Sequence, residues 1–311
     1  NRFAAGNLFT AKEIADALDE PLEARRTEAP KLAPHLAYKL KSSLHTDVIH
    51  TCLQMQSQLK LEKMVKDYVS GLYTLNIYNA AVVVLDNKTH EIIAYVGSAD
   101  FANSTDGGQV NGAAAVRQPG SALKPLAYGL CFDNGLLTPK TVMTDVPLNI
   151  NGYQPENYDS KFNGYVTVEF ALENSLNIPA VKALNDLGTD KMIARLMQCN
   201  FKQIKKDEKK LGLSLILGGC GVTLEEMTGL YSTFANDGLY SKPVFTTTGT
   251  AKAATDTVRI LSPSANFMLT EILSKLARPD LPTNWEQSSH TPRIAWKTGT
   301  SYGKRDAWSI G

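Results

Sequence analysis

The chain has 311 residues, 43% of them hydrophobic and 20% charged, which is enough apolar material for a sizeable globular core. Basic and acidic side chains nearly balance at a formal net charge of +1, so no nucleic-acid-binding surface is expected. No stretch approaches the roughly 20 apolar residues of a membrane helix. The five histidines and four cysteines lack metal-ligand spacing, so no metal and no cofactor is expected.

In chain order, Thr10-Ala-Lys-Glu13 reads as a capping box that opens a helix, which Pro21-Leu22 closes. Residues from about 24 to 44, rich in Pro, Arg, Lys and Glu, read as an interdomain linker. Ser57 falls in a predicted helix whose positions Leu61, Met64, Val65 and Tyr68 recur at helical spacing. Ala80–Leu85 and Glu91–Val96 predict a hairpin around Asp86-Asn87-Lys88-Thr89. Helices dominate from Ser121 to about Thr233. The basic cluster Lys202–Lys210 is broken by Asp207 and Glu208 and reads as a solvated face. Cys131 and Cys220 lie in apolar runs and read as buried small hydrophobes, whereas pairing of Cys52 with Cys199 is left open.

Ser121 follows Gln118-Pro119-Gly120 and opens an apolar run that ends at Asp133-Asn134-Gly135. That pattern predicts a tight turn and then a buried helix stopped by Asn-Gly. Pro125 fits only in the first turn of that helix, where its missing N–H costs little. Ser121 is thereby placed at a helix N-terminus, which favours negative charge nearby. Lys124 projects from the same face and is expected to reach the Ser121 hydroxyl. Lysine is a poor base at its ordinary pKa of roughly 10.4. Burial beside a second cation disfavours the ammonium, and Lys297 is the candidate.

Ser175-Leu-Asn177 ends the segment Val166–Asn174 and precedes Ile178-Pro179-Ala180-Val181. Pro179 biases Ile178 away from helix and predicts a short loop between two helices. A hydroxyl there can relay a proton to a leaving group, and an amide can hold a substrate carbonyl. Asn177 can also cap a helix beginning at Pro179. The third motif, Lys297-Thr-Gly-Thr300, ends a predicted strand from Arg293. Period-2 alternation puts Thr298 and Thr300 on one face and Lys297 on the other. Paired hydroxyls suit a substrate carboxylate, and Gly299 leaves room for a substrate backbone alongside.

These three motifs are what a serine acyltransferase needs when lysine replaces histidine as the proton-handling group. Ser57-Gln-Leu-Lys60 and Ser301-Tyr-Gly-Lys304 repeat the S-x-x-K spacing, and Ser264-Ala-Asn266 repeats S-x-N. The first lies mid-helix and the second crosses a glycine turn, so neither has the setting of Ser121.

The runs Arg117–Pro125, Pro155-Glu-Asn-Tyr158, Phe162–Thr167 with Ser175–Val181, Leu217–Thr223, and Lys297–Ser301 followed by Arg305-Asp-Ala-Trp308 carry a family resemblance. From about residue 45 onward the chain resembles the transpeptidase domain of class A penicillin-binding proteins, and within them the 1C group. The resemblance implies an α+β fold, with an antiparallel sheet flanked by helices plus an all-helical lobe and the active site between. It implies Ser121 as the nucleophile that attacks the D-Ala-D-Ala carbonyl of a peptidoglycan stem peptide, and Lys124 as its base. Ser175 corresponds to the proton shuttle, Asn177 to the group holding the acyl-side amide, and Lys297 to the cation that supports Ser175 and the substrate carboxylate electrostatically. Thr298 and Thr300, flanking Gly299, would bind the substrate carboxylate. The backbone N–H groups of Ser121 and Thr300 would form the oxyanion hole. Covalent inhibition by β-lactams is implied as well.

In this family residues 1–44 correspond to the tail of an upstream glycosyltransferase domain and a linker, and 45–311 to the transpeptidase domain. The parent would sit at the periplasmic face of the inner membrane through an N-terminal anchor. The family's last strand, which lies between the Ala80 hairpin and the Asp306–Ile310 strand, and its terminal helix do not appear before Gly311. The sheet is therefore expected to be interrupted there or filled by another segment. The alternatives are a D,D-carboxypeptidase, a serine β-lactamase, and a non-catalytic β-lactam sensor or cell-wall scaffold. Glu173-Asn-Ser-Leu-Asn177 mimics a β-lactamase deacylation signature but overlaps the S-x-N motif, so it supplies no separate water-activating loop.

Overall fold

The structure is a computed structural model that describes residues 9–20, 31–247, 257–276 and 293–311. Two compact units divide the chain, Asn1–Leu32 and Ala33–Gly311. In the first, Thr10 caps helix α1 (Ala11–Asp19) reciprocally. Its hydroxyl accepts from the Glu13 N–H at 3.3 Å, and the Glu13 carboxylate accepts from the Thr10 N–H at 2.7 Å. The expected closure at Pro21-Leu22 lies outside the described residues.

The stretch read as linker up to residue 44 is helical in its second half, as α2 (Pro34–Ser43). Leu36 and Leu40, one turn apart, are buried in a cluster with Ile92 and Tyr95. Averaged composition hides such a pair; apolar burial decides the conformation. Helix α3 (Met55–Leu72) carries Ser57 as expected, but its inward stripe is Gln58, Val65 and Val69, with Met64 and Tyr68 exposed. The reason is a side chain that acts as backbone. The Gln58 amide accepts from the Tyr95 N–H at 2.7 Å and donates to the Tyr95 carbonyl at 2.9 Å, fixing the rotation of α3 over the neighbouring strand.

That strand belongs to the predicted hairpin, β1 (Val82–Leu85) paired antiparallel with β2 (Ile92–Val96), with Val83 opposite Tyr95. Asp86 Oδ1 closes the turn by accepting from the N–H groups of Lys88 and Thr89, both at 2.9 Å. Next comes α4 (Lys124–Asp133), in which every residue from Lys124 to Phe132 is buried. A helix apolar on all sides has to be central. It is stopped where expected, by Asn134 and by Gly135 at φ +66°.

Around α4 the chain adds the ladder β3 (Val142–Asp145) with β4 (Gly164–Thr167), and the helices α5 (Val168–Glu173), α6 (Asn177–Leu187), α7 (Thr189–Gln198) and α8 (Lys202–Asp207). It continues with α9 (Leu224–Ala235), the short pair β5 (Leu239–Tyr240) and β6 (Val258–Arg259), and α10 (Pro263–Leu273). Helices α6 and α10 pack on α4. The chain returns in a second hairpin, β7 (Lys297–Thr300) with β8 (Ala307–Ile310).

The sheet is interrupted, as anticipated. Among the described strands β1 pairs only with β2 and β8 only with β7, and a cleft lined by Val82, Val84, Tyr231, Ser309 and Ile310 lies between them. All four cysteines are free and buried, which answers the open question about Cys52 and Cys199.

Leu126, fully buried in α4, should be a measure of this core. Leu126→Ala is expected to destabilise the chain by about 2–5 kcal/mol in chemical denaturation. A loss below about 1 kcal/mol would contradict the central placement of α4.

Candidate active site

Ser121 lies in a single 3₁₀ turn, Gly120–Leu123, that runs directly into α4. Lys124 is the first residue of the α-helix proper and Pro125 follows it in the first turn. The turn is pressed against β7 at backbone distance. Gly120 has φ +55°, and a Cβ there would stand 2.2 Å from the Thr300 carbonyl oxygen. From the other side, a Cβ on Gly299 would stand 2.1 Å from the Pro119 carbonyl oxygen. Only two glycines let the serine turn and the strand meet this closely. The backbone of Ser121 is thereby brought beside that of Thr300.

Strand alternation is as read from sequence: Lys297 and Gly299 are buried, Thr298 and Thr300 exposed. Ser175 sits between α5 and α6 in a left-handed conformation, φ +55°, unusual for a side-chain-bearing residue. Helix α6 begins at Asn177 rather than at Pro179, with Leu176 in the cap position. Asn177 is therefore not a cap, and its amide is turned elsewhere.

Two buried lysines converge on that corner. Lys124 is 0% exposed, and its Nζ donates to the Ser175 carbonyl at 2.6 Å and to Asn177 Oδ1 at 2.7 Å. Lys297 is 2% exposed, and its Nζ donates to Ser175 Oγ at 2.9 Å and to its neighbour's carbonyl, Thr298 O, at 3.0 Å. Ser175 thus bridges the two, by its carbonyl to one and its hydroxyl to the other. The expected contact of Lys124 with the Ser121 hydroxyl is not formed. The lysine's two hydrogen bonds both go to the Ser175–Asn177 corner.

Burial pushes Lys124 well below the ordinary lysine value, and the charge of Lys297 pushes it further down. Burial alone lowers Lys297 to about 8. Among the described residues no carboxylate forms an ion pair with either lysine, and no three His, Cys, Asp or Glu side chains are grouped so as to hold a metal.

The competing motifs are dispersed. Ser57 lies in the first turn of α3 rather than mid-helix, and its hydroxyl donates to Gln54, the residue before the helix. Ser301 holds the β7–β8 turn, its Oγ accepting from the Asp306 N–H at 2.7 Å. Ser264 pairs with Ser262 at the start of α10. Sequence reasoning missed three supports of the Ser121 turn: Trp308 Nε1 donates to the Gln118 carbonyl at 2.9 Å, Tyr231 OH donates to the Ala122 carbonyl at 2.8 Å, and Arg117 lies 3.5 Å from Asp306. It also gave no role to Asn157, which touches the Asn177 backbone. Arg117, Asn157 and Trp308 stand in the runs quoted for the resemblance, but no spacing rule predicts their partners.

A family model, the penicillin binding protein transpeptidase domain, matches residues 80–307, which include all three motifs. The chain belongs to this family. It is 32% identical to penicillin-binding protein 1C of Escherichia coli (strain K12) over 317 aligned positions, covering 100% of this chain and 39% of that relative. It is 31% identical to penicillin-binding protein 1F of Bacillus subtilis (strain 168), covering 74% of this chain and 33% of that one. The chain therefore spans well under half the length of these curated relatives. Among solved structures, penicillin-binding protein 1A from Haemophilus influenzae overlays with a TM-score of 0.71 at 18% identity, over 99% of this chain and 68% of the other. PonA1 from Mycobacterium tuberculosis in complex with penicillin V overlays with a TM-score of 0.67 at 20% identity, over 90% and 78%. At such identities these overlays establish the transpeptidase fold.

The lowered lysines make a statement about stability in this penicillin-binding domain. Between about 8 and the ordinary 10.5, unfolded Lys297 keeps a proton that the folded group has lost. The unfolded state then binds more protons, so stability rises with pH across that window, and below it the charged lysine opposes folding. Lys124 acts with the same sign and extends the window downward. Lys297→Met should lessen the rise in denaturation midpoint between pH 8 and 10; an unchanged slope would contradict the burial of its charge.

Proposed function

We propose that this domain cross-links peptidoglycan stem peptides as a D-Ala-D-Ala transpeptidase acting through a Ser121 acyl-enzyme, and that β-lactams acylate the same serine. The observation that carries the reading is the convergence of two fully buried lysines on Ser175 with, among the described residues, neutral oxygens as their hydrogen-bond partners. Nothing holds Lys124 as an ammonium strongly enough to offset its burial, so a neutral amine is available as base. Two of its N–H groups donate to Ser175 O and Asn177 Oδ1. The third tetrahedral position on Nζ is then the lone pair that takes the Ser121 proton.

Ser121 Oγ forms a bond to the carbonyl carbon of the penultimate D-alanine, and the carbonyl π electrons move to oxygen. The Ser121 and Thr300 N–H groups receive that oxyanion, the interaction that weighs most in such reactions. As the carbonyl re-forms and the amide C–N bond breaks, the Ser175 hydroxyl gives its proton to the departing D-alanine nitrogen and is restored by the proton that Lys124 took from Ser121, while Lys297 sustains that hydroxyl electrostatically. Thr298 and Thr300 hold the terminal carboxylate across Gly299, and Asn177 holds the acyl-side amide. An amine from a second stem peptide then bonds to the ester carbonyl carbon, the C–Oγ bond breaks, and a proton from the amine returns to Ser121 Oγ. The proposal extends to an extracytoplasmic location, in a parent whose glycosyltransferase domain ends in residues 1–44, on the strength of the family resemblance.

Incubation with a fluorescent penicillin followed by peptide mass spectrometry should place a single adduct on Ser121, lasting many minutes, and absent in Ser121→Ala. The persistence follows from the overlap of Glu173-Asn-Ser-Leu-Asn177 with the S-x-N motif, which leaves that signature without a separate water-activating loop, a contribution of roughly 10²–10⁴-fold. Rapid repeated lactam turnover, or an adduct on Ser57 or Ser301, would overturn the reading.

Lys124→Arg keeps the positive charge but never becomes a base at accessible pH. Its acylation rate should fall at least about 10²-fold, and the wild-type rate should rise with pH as Lys124 loses its proton. Near-normal acylation in the arginine variant would remove Lys124 from the role of base.

A further inference from the structure

We propose that Asn157, on the loop joining β3 to β4, is a positioning residue that locks the Ser175–Asn177 corner in the orientation presenting its oxygens to Lys124. The inference rests on the acyl-transfer reading and adds to it a residue outside the three motifs.

Helix α6 lacks a cap of its own. Its cap position is the apolar Leu176, and its third residue, Pro179, has no N–H to place. Asn157 caps it from 20 residues upstream: Oδ1 accepts from the Asn177 N–H at 2.8 Å and, more weakly, from the Ile178 N–H at 3.5 Å. The preceding residue takes the other half of Asn177, since Glu156 O accepts from Asn177 Nδ2 at 2.7 Å. With its nitrogen so engaged, the Asn177 side chain has one direction left for Oδ1, toward Lys124. The same grip restrains Ser175, whose left-handed backbone needs its surroundings to hold it.

The orientation of Asn157 is itself determined. The residue is 4% exposed, and its Nδ2 donates to both oxygens of Asp145, at 2.8 and 3.0 Å, and to Lys161 O at 2.8 Å. Asp145 is fully buried on β3 and also accepts from the Asn163 N–H at 2.9 Å and from Asn163 Nδ2 at 2.7 Å. The Asn177 and Ile178 N–H groups can only donate and the Lys161 carbonyl can only accept, so the oxygen of Asn157 must face α6 and its nitrogen must face Lys161 and Asp145. A flipped amide would set oxygen against carboxylate and leave the helix N–H groups unpaired. Orientation is passed along hydrogen bonds from Asp145 to Asn157, to Asn177 and to the lysine.

The test is the acylation rate at saturating fluorescent penicillin, followed against pH in the full chain. Asn157→Ala should slow acylation about 10- to 100-fold, the scale of a misplacement near 1 Å. Its acid limb should also move to lower pH, because the Lys124 ammonium loses an oxygen that favours its charged form. Asp145→Asn keeps the volume but removes the charged acceptor of Asn157 Nδ2 and leaves Lys161 O as its remaining acceptor, so the grip weakens and both readouts should shift the same way by a smaller amount. Asn266→Ala removes an equally buried asparagine, 3% exposed and bonded to Phe234 O, on α10 and outside the Asp145–Asn157–Asn177 chain of hydrogen bonds. It should lower the melting temperature and leave rate and acid limb in place.

An Asn157→Ala rate and acid limb within about twofold and about 0.2 pH units of wild type would overturn the inference, as would equal shifts in Asn266→Ala. If Asn157→Ala does not fold, Asp145→Asn decides by the same two readouts. A wild-type chain that gives no Ser121 adduct would remove the acyl-transfer reading and this inference with it. Normal wild-type labelling with an unaltered Asn157→Ala would remove this inference alone.

Discussion

The rest of the site depends on two lysine side chains buried together with no carboxylate paired to either among the described residues. Removing a charge from water is costly unless it is paired, and a group that stays unpaired relieves the cost by becoming neutral. Among the described residues, Lys124 and Lys297 donate to carbonyl, amide and hydroxyl oxygens contributed by Ser175, Asn177 and Thr298. An aspartate or glutamate in the same position would have raised both lysines. The neutral partners satisfy the N–H groups geometrically while leaving the direction of the shift to burial. The fully buried carboxylate of this region, Asp145, is kept one residue away, and the amide of Asn157 carries its orienting influence without placing its charge against the lysine.

That arrangement demands backbone precision from elements far apart in sequence. Gly120 and Gly299 allow the serine turn and β7 to touch, where any side chain would hold them apart. The turn is then fastened from several directions, by Trp308 on β8, by Tyr231 on α9 and by the buried helix α4 that follows it. Helix α4 belongs to the large apolar cluster, so rigidity of the core is transmitted directly to the first residue of the helix, which is Lys124. Stability and chemistry pull against each other there, because the same burial that anchors the lysine disfavours its charged form.

Much of this was legible in the residues. The hairpin around Asp86-Asn87-Lys88-Thr89, the capping box at Thr10, the helix stop at Asn134-Gly135 and the alternation of Lys297-Thr-Gly-Thr300 are local patterns, settled within a few residues, and each appears as read. Local patterns also misled. Met64 and Tyr68 share helical spacing with Val65 but face solvent, since Gln58 sets the rotation of α3 from a strand thirty-odd residues away. A proline-rich, charged composition concealed the two leucines that bury α2. Pro179 signalled a loop through Ile178, but α6 starts before it because Asn157 supplies the cap that the local sequence lacks.

The sequence by itself determined which side chains could do the chemistry, because nucleophile, base and hydroxyls are residue types at spacings that a helix turn or a strand pleat converts into faces. It determined the order of the three motifs and the burial of the run after Ser121. Only the tertiary structure decided what those side chains meet. It gave Lys124 to Ser175 and Asn177 instead of Ser121, set Ser175 between two cations, freed all four cysteines and recruited Asn157 and Asp145. The reason is physical: hydrogen bonds and burial join residues 20 to 120 positions apart through packing, and no local periodicity encodes such a distance.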